Sequence, residues 1–513
     1  MQPPLHTSQK DFLWGVATSA YQSEGGYNQP GTPHNNWAGW ERSGKGSVTG
    51  TGTRFWERYP QDFSFAQEMG LNAFRMGIEW ARVQPTFHED TTDPPPIDYK
   101  ALEDYALRIA TCRRYGMEPV ITLHHFTHPA WLGVDAWLEE ATVGHFVEFV
   151  RITVETINKH LLSAHREPPL RWFITINEPN ILVSNSYFGH QFPSGSLTQP
   201  HKIPKAYDLL LAAHVRAYNA IHDLYERENW VRPMVSLNTF CSDLYWNDKF
   251  IWDLLTMRER KIPREDKFSF ANKKADDLAQ TLSKARLPFQ KNIPWYFGQL
   301  AKFFINRIGR SHFAAAPFDA FFQAMEQSPR ERVFDFVGLD YYDPFFSHVF
   351  RMPTFQDMEF KAHGIREWLM DGLTSKWWDW RCLPQGLGVF ARYYSHDLFD
   401  RPVLIAENGM AMRRLWDNTV VSPRSDRLTR SEFLKAHVRE IVSAVREGTP
   451  ILGYLHWSLT DNYEWGSFTP RFGLYSVDYQ HEAERHRTDH HGDQPSQTYR
   501  RLIENARQGL PIE

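Results

Sequence analysis

Two glutamates carry the strongest chemical signal in this sequence. Glu178 lies in the run Thr175-Ile176-Asn177-Glu178-Pro179, and Glu407 lies in Ile405-Ala406-Glu407-Asn408-Gly409. Each follows a short apolar stretch of the kind that forms a buried strand. Either motif alone reads as a solvated salt bridge. Together, at matching strand ends, they read as two carboxyls facing across one cleft. That arrangement suits glycosidic bond cleavage, in which one carboxyl protonates the leaving oxygen while the other attacks the anomeric carbon or activates water.

The elements that must position them recur along the chain. Short apolar runs occupy Phe12–Ala17, Ala73–Ile78, Pro119–Leu123, Trp172–Ile176, Met234–Leu237, Asp335–Leu339, Val403–Ala406 and Ile451–Leu455. Most lack strict alternation, as expected of parallel strands buried on both faces. Helical periodicity fills the intervals, for example over Tyr99–Tyr115, Val143–Leu162, Ala206–Glu228 and Ser431–Glu447. Alternation of this kind predicts an α/β fold, a single (β/α)8 barrel spanning residues 1–513. In such a barrel, strands four and seven lie across the mouth from one another, and chemistry collects just past the strands' C-terminal ends. The residues found there are Arg75 and Glu79, His124-His125, Asn177-Glu178, Asn238, Tyr341-Tyr342, Glu407-Asn408 and Trp457.

One interval is too long. Roughly 95 residues separate Leu237 from Asp335, more than one helix and two short loops require. Helical patterns over Phe250–Arg260, Phe268–Leu282 and Pro294–Ile308 predict a helical insertion, residues 240–333, between strands five and six and over the catalytic face. Within it, Trp295, Tyr296, Leu300, Phe303, Phe304 and Ile308 keep helical spacing, with Lys291, Lys302, Arg307 and Arg310 nearby. A helix packed on the barrel is the simpler reading, and an interfacial lipid-binding helix is the alternative.

Composition bounds the possibilities. With 57 Lys+Arg against 61 Asp+Glu, a net charge of −4 argues against a nucleic-acid partner. Gly (30) and Pro (32) are too few for disorder or a fibrous repeat. Cys112, Cys241 and Cys382 are scattered and imply neither a disulfide framework nor a zinc ribbon. The N-terminal residues show no secretory pattern, and no apolar run has membrane-spanning length, so a cytoplasmic setting is expected. Aromatic residues make up 15% of the chain, which suits a large core and also stacking on sugars.

The sequence resembles the family 1 glycoside hydrolases, the β-glucosidase and β-galactosidase group. The resemblance is carried by Phe12-Leu13-Trp14-Gly15, Gln22-Ser23-Glu24-Gly25, Asn72-Ala73-Phe74-Arg75 through Trp80, and Thr122-Leu123-His124-His125-Phe126. It continues through Asn177-Glu178-Pro179, Asp335-Phe336-Val337-Gly338-Leu339 with Tyr341-Tyr342, and Glu407-Asn408-Gly409. The last block runs from Trp457-Ser458-Leu459-Thr460-Asp461-Asn462-Tyr463-Glu464-Trp465 to Arg471-Phe472-Gly473-Leu474. It implies a retaining double displacement without metal or organic cofactor, on a β-glycoside substrate. Glu407 would be the nucleophile, held by Arg75 and Tyr342, Glu178 the acid/base, and Asn177 the partner of the sugar 2-hydroxyl. Gln22, His125 and Glu464 would bind glycone hydroxyls. Trp457 and Trp465 would supply the stacking platform and its edge, Phe468 the aromatic near the 6-hydroxyl, and Trp380 the aglycone side.

Within that group, enzymes acting on 6-phosphorylated sugars replace the acid at position 464 with a small polar residue and add a lysine. Glu464 therefore implies an unphosphorylated glycone, and Glu178 implies that the chain is outside the thioglucosidase branch. Departures from the family pattern are Asp340 for the usual Asn, Phe126 for the usual Trp, and a shortened loop from Trp465 to Arg471. They leave the glycone open among glucose, galactose, fucose and xylose. A sugar- or glycolipid-binding barrel without turnover is the alternative from another class, and a transglycosidase is the alternative within the class. His124 and His128 have the i, i+4 spacing of helical metal ligands, but Pro129 biases His128 to extended backbone and no metal site is expected. The histidine-containing run from His481 to Asp493 reads as a solvated loop.

Overall fold

Eight strands, buried almost throughout, close into one parallel barrel in chain order. The computed structural model describes residues 12–87, 93–189, 191–195, 199–348, 380–414 and 424–512. The strands are β1 (Leu13–Ala17), β2 (Ala73–Gly77), β3 (Glu118–Thr122), β4 (Trp172–Asn177), β5 (Met234–Phe240), β6 (Val337–Tyr341), β7 (Val403–Asn408) and β8 (Ile451–Trp457). β8 pairs back onto β1, from Leu13 opposite Gly453 to Ala17 opposite Trp457.

The longer helices are α1 (Phe55–Glu68), α2 (Tyr99–Arg114), α3 (Ala141–His160), α4 (Ile203–Arg227), α5 (Lys249–Thr256), α6 (Lys267–Lys284), α7 (Ile293–Ala315), α8 (Asp319–Gln327), α9 (Pro384–Asp397), α10 (Arg430–Arg446) and α11 (Pro495–Gln508). Their starts are written locally. Asp98 caps α2 by accepting from Ala101 N at 3.1 Å, and Thr429 and Glu432 form a reciprocal capping box on α10. α4 buries sixteen of its 25 residues, a wide apolar stripe turned to the barrel. Among the described residues no helix is long and apolar enough to cross a membrane.

β2 and β3 end one residue before the expected runs, at Gly77 and Thr122, whereas others run past theirs. Apolar runs end at Ile176, Leu237, Ala406 and Leu455, whereas the strands continue to Asn177, Phe240, Asn408 and Trp457. Pairing thus carries on into the polar residues that face the barrel mouth. β6 starts later than expected, at Val337, because the Asp335 side chain is engaged by Val235 N at 2.8 Å, His222 at 3.0 Å and Arg232 at 2.9 Å. Four helices, α5 to α8, occupy the interval between β5 and β6, and α8 had no counterpart in the periodicity.

The His481–Asp493 run is largely exposed, as expected, but it is not loop throughout: it contributes the strand Glu484–His486, paired antiparallel to Ser476–Asp478. Asp489 then closes a turn by accepting from His491 N at 2.9 Å and Asp493 N at 3.0 Å.

Candidate active site

The strand ladders are interrupted where side chains must be re-aimed. Register shifts fall between Ile174 and Asn177 in the β4–β5 pair, between Leu339 and Asp340 in β6–β7, and between Ile405 and Asn408 in β7–β8. Such irregularities turn consecutive side chains toward one point instead of alternating them. Gly409 follows directly: a Cβ there would meet the Trp457 carbonyl oxygen at 1.9 Å, so only glycine lets the end of β7 pass the end of β8.

Arg75, fully buried on β2, is the hub of the constellation. Its Nη1 donates to Glu407 Oε1 at 2.7 Å and to the Ala406 carbonyl at 3.1 Å. Its Nε donates to Thr122 Oγ1 at 2.9 Å, and Nη2 to Asn177 Oδ1 at 2.5 Å. Tyr342 donates its hydroxyl to the other Glu407 oxygen at 2.8 Å. Burial raises the Glu407 carboxyl, while Arg75 and the Tyr342 hydrogen bond pull it back.

Glu178 is presented differently. It stands in the left-handed region at φ 38°, immediately before the short helix Pro179–Val183, a conformation uncommon for a side-chain-bearing residue. Its amide donates to the Asn238 carbonyl at 3.0 Å, which fixes the turn against β5. Its Oε1 is buried without a hydrogen-bond partner. Burial first, then the charges of Asp340 and Glu407, hold this carboxyl well above the usual range.

Asp340 completes a triad of acids. Oxygens of Glu178, Asp340 and Glu407 all lie within 4.8 Å of one another. Asp340 is fully buried, accepts from Asn238 Nδ2, and is raised by burial and then by the Glu407 charge. Burial and neighbouring negative charge hold the Glu178 and Asp340 carboxyls both well above the usual range. Asn238 Nδ2 also donates to Asn177 Oδ1 at 2.8 Å, tying both groups to β5. Three acids against one guanidinium cannot all ionise cheaply, and of the three Glu407 is the one with cationic and hydroxyl donors of its own.

A second group lies where β8 and the loop after β1 meet. Gln22 Nε2 donates to the Tyr463 carbonyl at 2.8 Å and to Glu464 Oε2 at 3.2 Å, and Trp457 Nε1 donates to Glu464 Oε1 at 3.0 Å. Burial raises the Glu464 carboxyl well above the usual range, against those two donors. The His125 ring stacks between Trp457 and Trp465, 5.8 Å from each at 21° and 14°. Phe126 meets Trp465 edge-on at 4.8 Å. Sequence reading therefore brought together Gln22, His125, Trp457, Glu464 and Trp465.

Phe468 and Trp380 flank that group on different sides. Phe468 packs on Tyr463 at 5.2 Å and on Tyr479 at 4.6 Å. Trp380 lies 5.2 Å from Tyr342 and 6.0 Å from Phe240, beside the Glu407 end of the cleft. Its neighbours Trp377 and Trp378 lie outside the described residues. Glu79 is at a strand end, as expected, but its carboxylate is turned to Thr127 Oγ1 at 2.7 Å. His124 is used by Trp137 and His128 by the Gly133 carbonyl, and burial depresses both imidazoles. Sequence reasoning missed Thr122, whose only signal was its place at the end of β3.

Comparison with known proteins gives a consistent family and two different substrates. Residues 6–242 and 273–506 match the model of glycosyl hydrolase family 1, leaving 243–272 unmatched. Similar curated proteins include 6-phospho-beta-galactosidase 1 of Streptococcus pneumoniae, 25% identical over 506 residues and covering 92% of this chain and 94% of that protein. The 6-phospho-beta-galactosidase of Clostridium acetobutylicum is also 25% identical, over 485 residues, with 92% of each chain covered. Among solved structures, the beta-glucosidase from Thermotoga maritima in complex with noeuromycin superposes with a TM-score of 0.67 at 20% identity, covering 97% of this chain and 98% of that one.

Proposed function

Since the chain belongs to glycosyl hydrolase family 1 and is thereby a retaining glycosidase, we propose that it hydrolyses terminal β-glycosides whose glycone carries no 6-phosphate, with Glu407 as nucleophile and Glu178 as acid/base. The observation that carries the assignment is the short separation of the two carboxyls, with oxygens within 4.8 Å. Retaining enzymes hold the pair about 5–5.5 Å apart, whereas inverting ones need roughly 6.5–9.5 Å to seat a water between them.

The first step follows from the difference in environment. Glu178 begins protonated and gives its proton to the leaving oxygen as the glycosidic C–O bond breaks. Glu407, held ionised by Arg75 and Tyr342, forms the new bond to the anomeric carbon. That bond consumes the Glu407 charge, so Glu178 is relieved of one of the charges that raised it and is stable as a carboxylate. It then takes a proton from water, whose oxygen attacks the anomeric carbon and releases Glu407. Two displacements return the original anomeric configuration. Asn177, fixed by Arg75 and Asn238, supports recognition of the 2-hydroxyl next to the reacting carbon.

Glu464 supports the unphosphorylated glycone. Its carboxylate is buried between Trp457 Nε1 and Gln22 Nε2, and among the described residues it forms no ion pair with Lys or Arg. A phosphate dianion brought there would meet another acid in a low-dielectric setting. The names of the curated relatives favour the opposite reading, a 6-phospho-β-galactoside. Purified protein assayed on aryl β-glucoside and β-galactoside, each with and without a 6-phosphate, separates the two. Turnover on the unphosphorylated pair is expected, with the sugar released first as the β-anomer by NMR. Preference for a phosphorylated substrate overturns the glycone assignment, and release of the α-anomer overturns the mechanism.

A further inference from the structure

α7 is amphipathic in the reverse sense. Its apolar residues Ile293, Tyr296, Phe297, Leu300, Phe303, Phe304 and Ile308 are 49–74% exposed and recur at spacings of three and four, so they form one stripe on one face. The inward face is anchored near its C-terminal end by Phe313, 4% exposed and packed on Tyr207, Trp246, Phe250 and Phe318. Along the rest of it Gly298 sits where a Cβ would meet the Ser347 backbone at 2.4 Å, Gly309 lies against Trp246, and Lys302 pairs with Asp243 at 2.5 Å. The helix is therefore held to the loops leaving β5 and β6 by one buried aromatic anchor, close backbone approach and a salt bridge, and the seven-residue apolar stripe is left outward. A contiguous apolar face of this size on a soluble domain marks a surface that something covers.

Charge says what covers it. From Lys284 to Ala315 the sequence has Lys284, Arg286, Lys291, Lys302, Arg307 and Arg310 and not one Asp or Glu, within a chain of net charge −4. Lys291, Arg307 and Arg310 are exposed, and none forms an ion pair with a described residue. A second copy of α7 laid on this face would bring cations to cations, with no carboxylate to meet them. An anionic bilayer offers both complements at once, acyl chains for the stripe and phosphates for the cations.

We infer that α7 docks the enzyme onto an anionic lipid surface, its stripe entering the headgroup boundary while Arg307, Arg310 and Lys291 meet lipid phosphates. The helix lies in the plane of the interface and does not span it. The contact is peripheral and reversible, and it is weakened by salt.

Co-sedimentation with vesicles of phosphatidylcholine alone, or of phosphatidylcholine with phosphatidylserine, tests this. The bound fraction is expected to be several-fold higher on the anionic vesicles and to fall as salt is added. Combining Phe297→Ser, Phe303→Ser and Phe304→Ser is expected to abolish binding. Combining Arg307→Glu with Arg310→Glu should remove the preference for phosphatidylserine. Because these positions are exposed, an unchanged melting temperature and unchanged turnover of a soluble aryl β-glycoside establish that the variants are folded. Equal binding to both vesicle types, no binding to either, or wild-type binding by the triple Ser variant overturns the inference. A wild-type dimer in light scattering that the triple variant converts to monomer also overturns it, by making a second copy the occupant.

Discussion

Glu407 and Glu178 are the same side chain, buried to a similar degree, with oxygens less than 5 Å apart, yet their surroundings differ in a way that fits the two tasks proposed for them. At the end of β7 a guanidinium and a phenol hydroxyl each donate to one carboxylate oxygen. At the end of β4 the neighbours are another acid and an oxygen without a donor. The proposed division of chemistry follows donors placed on β2 and just after β6 rather than residue type. A carboxyl becomes a nucleophile where donors converge on it and an acid where they are withheld.

The comparison breaks most completely at Glu407. Glu407→Gln removes the charge and the attacking oxygen together, and hydrolysis should fall on the order of 10⁴-fold or more. Single-turnover kinetics with an aryl β-glycoside check this, and turnover near wild type would remove Glu407 from the mechanism. Glu178→Ala should cost about 10²–10⁴-fold on a substrate with a poor leaving group. The loss should be much smaller on an activated aryl glycoside, where azide restores turnover by attacking without a base. Equal losses on both substrates would contradict the acid role.

Asp340→Asn sharpens the contrast instead of abolishing it. It takes away one of the two carboxylate charges that raise Glu178, so the basic limb of the kcat/KM profile should move to lower pH, with less than about a 10-fold change at the optimum. A basic limb that stays in place would mean that Asp340 does not govern the acid. The smallest effect on turnover is expected at Glu79, a buried carboxyl outside the proposed reacting pair, where the expected change is in stability. Burial raises it to about 8, above the value of an unfolded chain, so the folded state holds a proton that the unfolded state gives up between pH 4.5 and 8. Stability from this group is full below that window and falls by roughly 1.4 kcal/mol per pH unit through it. Melting curves for wild type and Glu79→Gln should coincide near pH 5 and diverge toward pH 8, with the variant the more stable; parallel curves would show no such linkage.

The residues proposed to do the chemistry were more legible than the way they are presented. Asn177-Glu178 and Glu407-Asn408 are visible because each polar pair ends an apolar run, and a barrel has few reasons to spend a strand end on an acid other than function. The same polar residues hid the true ends of β4, β5, β7 and β8, since hydrophobic patterning stops where the site begins. Asp335 was misplaced because an aspartate beside Phe336 and Val337 reads as the head of a strand, whereas its side chain serves four partners from other parts of the chain, Tyr218, His222, Arg232 and Val235. Asp340 stood out as a departure, but its nearness to Glu178 depends on a register shift in β6–β7 that no residue announces. α7 was legible as a helix with an aromatic stripe; which way the stripe faced was not, because Phe313, glycine approach and one salt bridge hold the opposite face inward.

Arg75 has a mechanical side as well. One guanidinium springing from β2 grips the end of β3 through Thr122, of β4 through Asn177 and of β7 through Ala406 and Glu407. It acts as a cross-brace over the barrel's open rim, joining three other strand ends through one side chain. The group that holds the proposed nucleophile Glu407 thus also ties the rim together, and a change at Arg75 touches both at once.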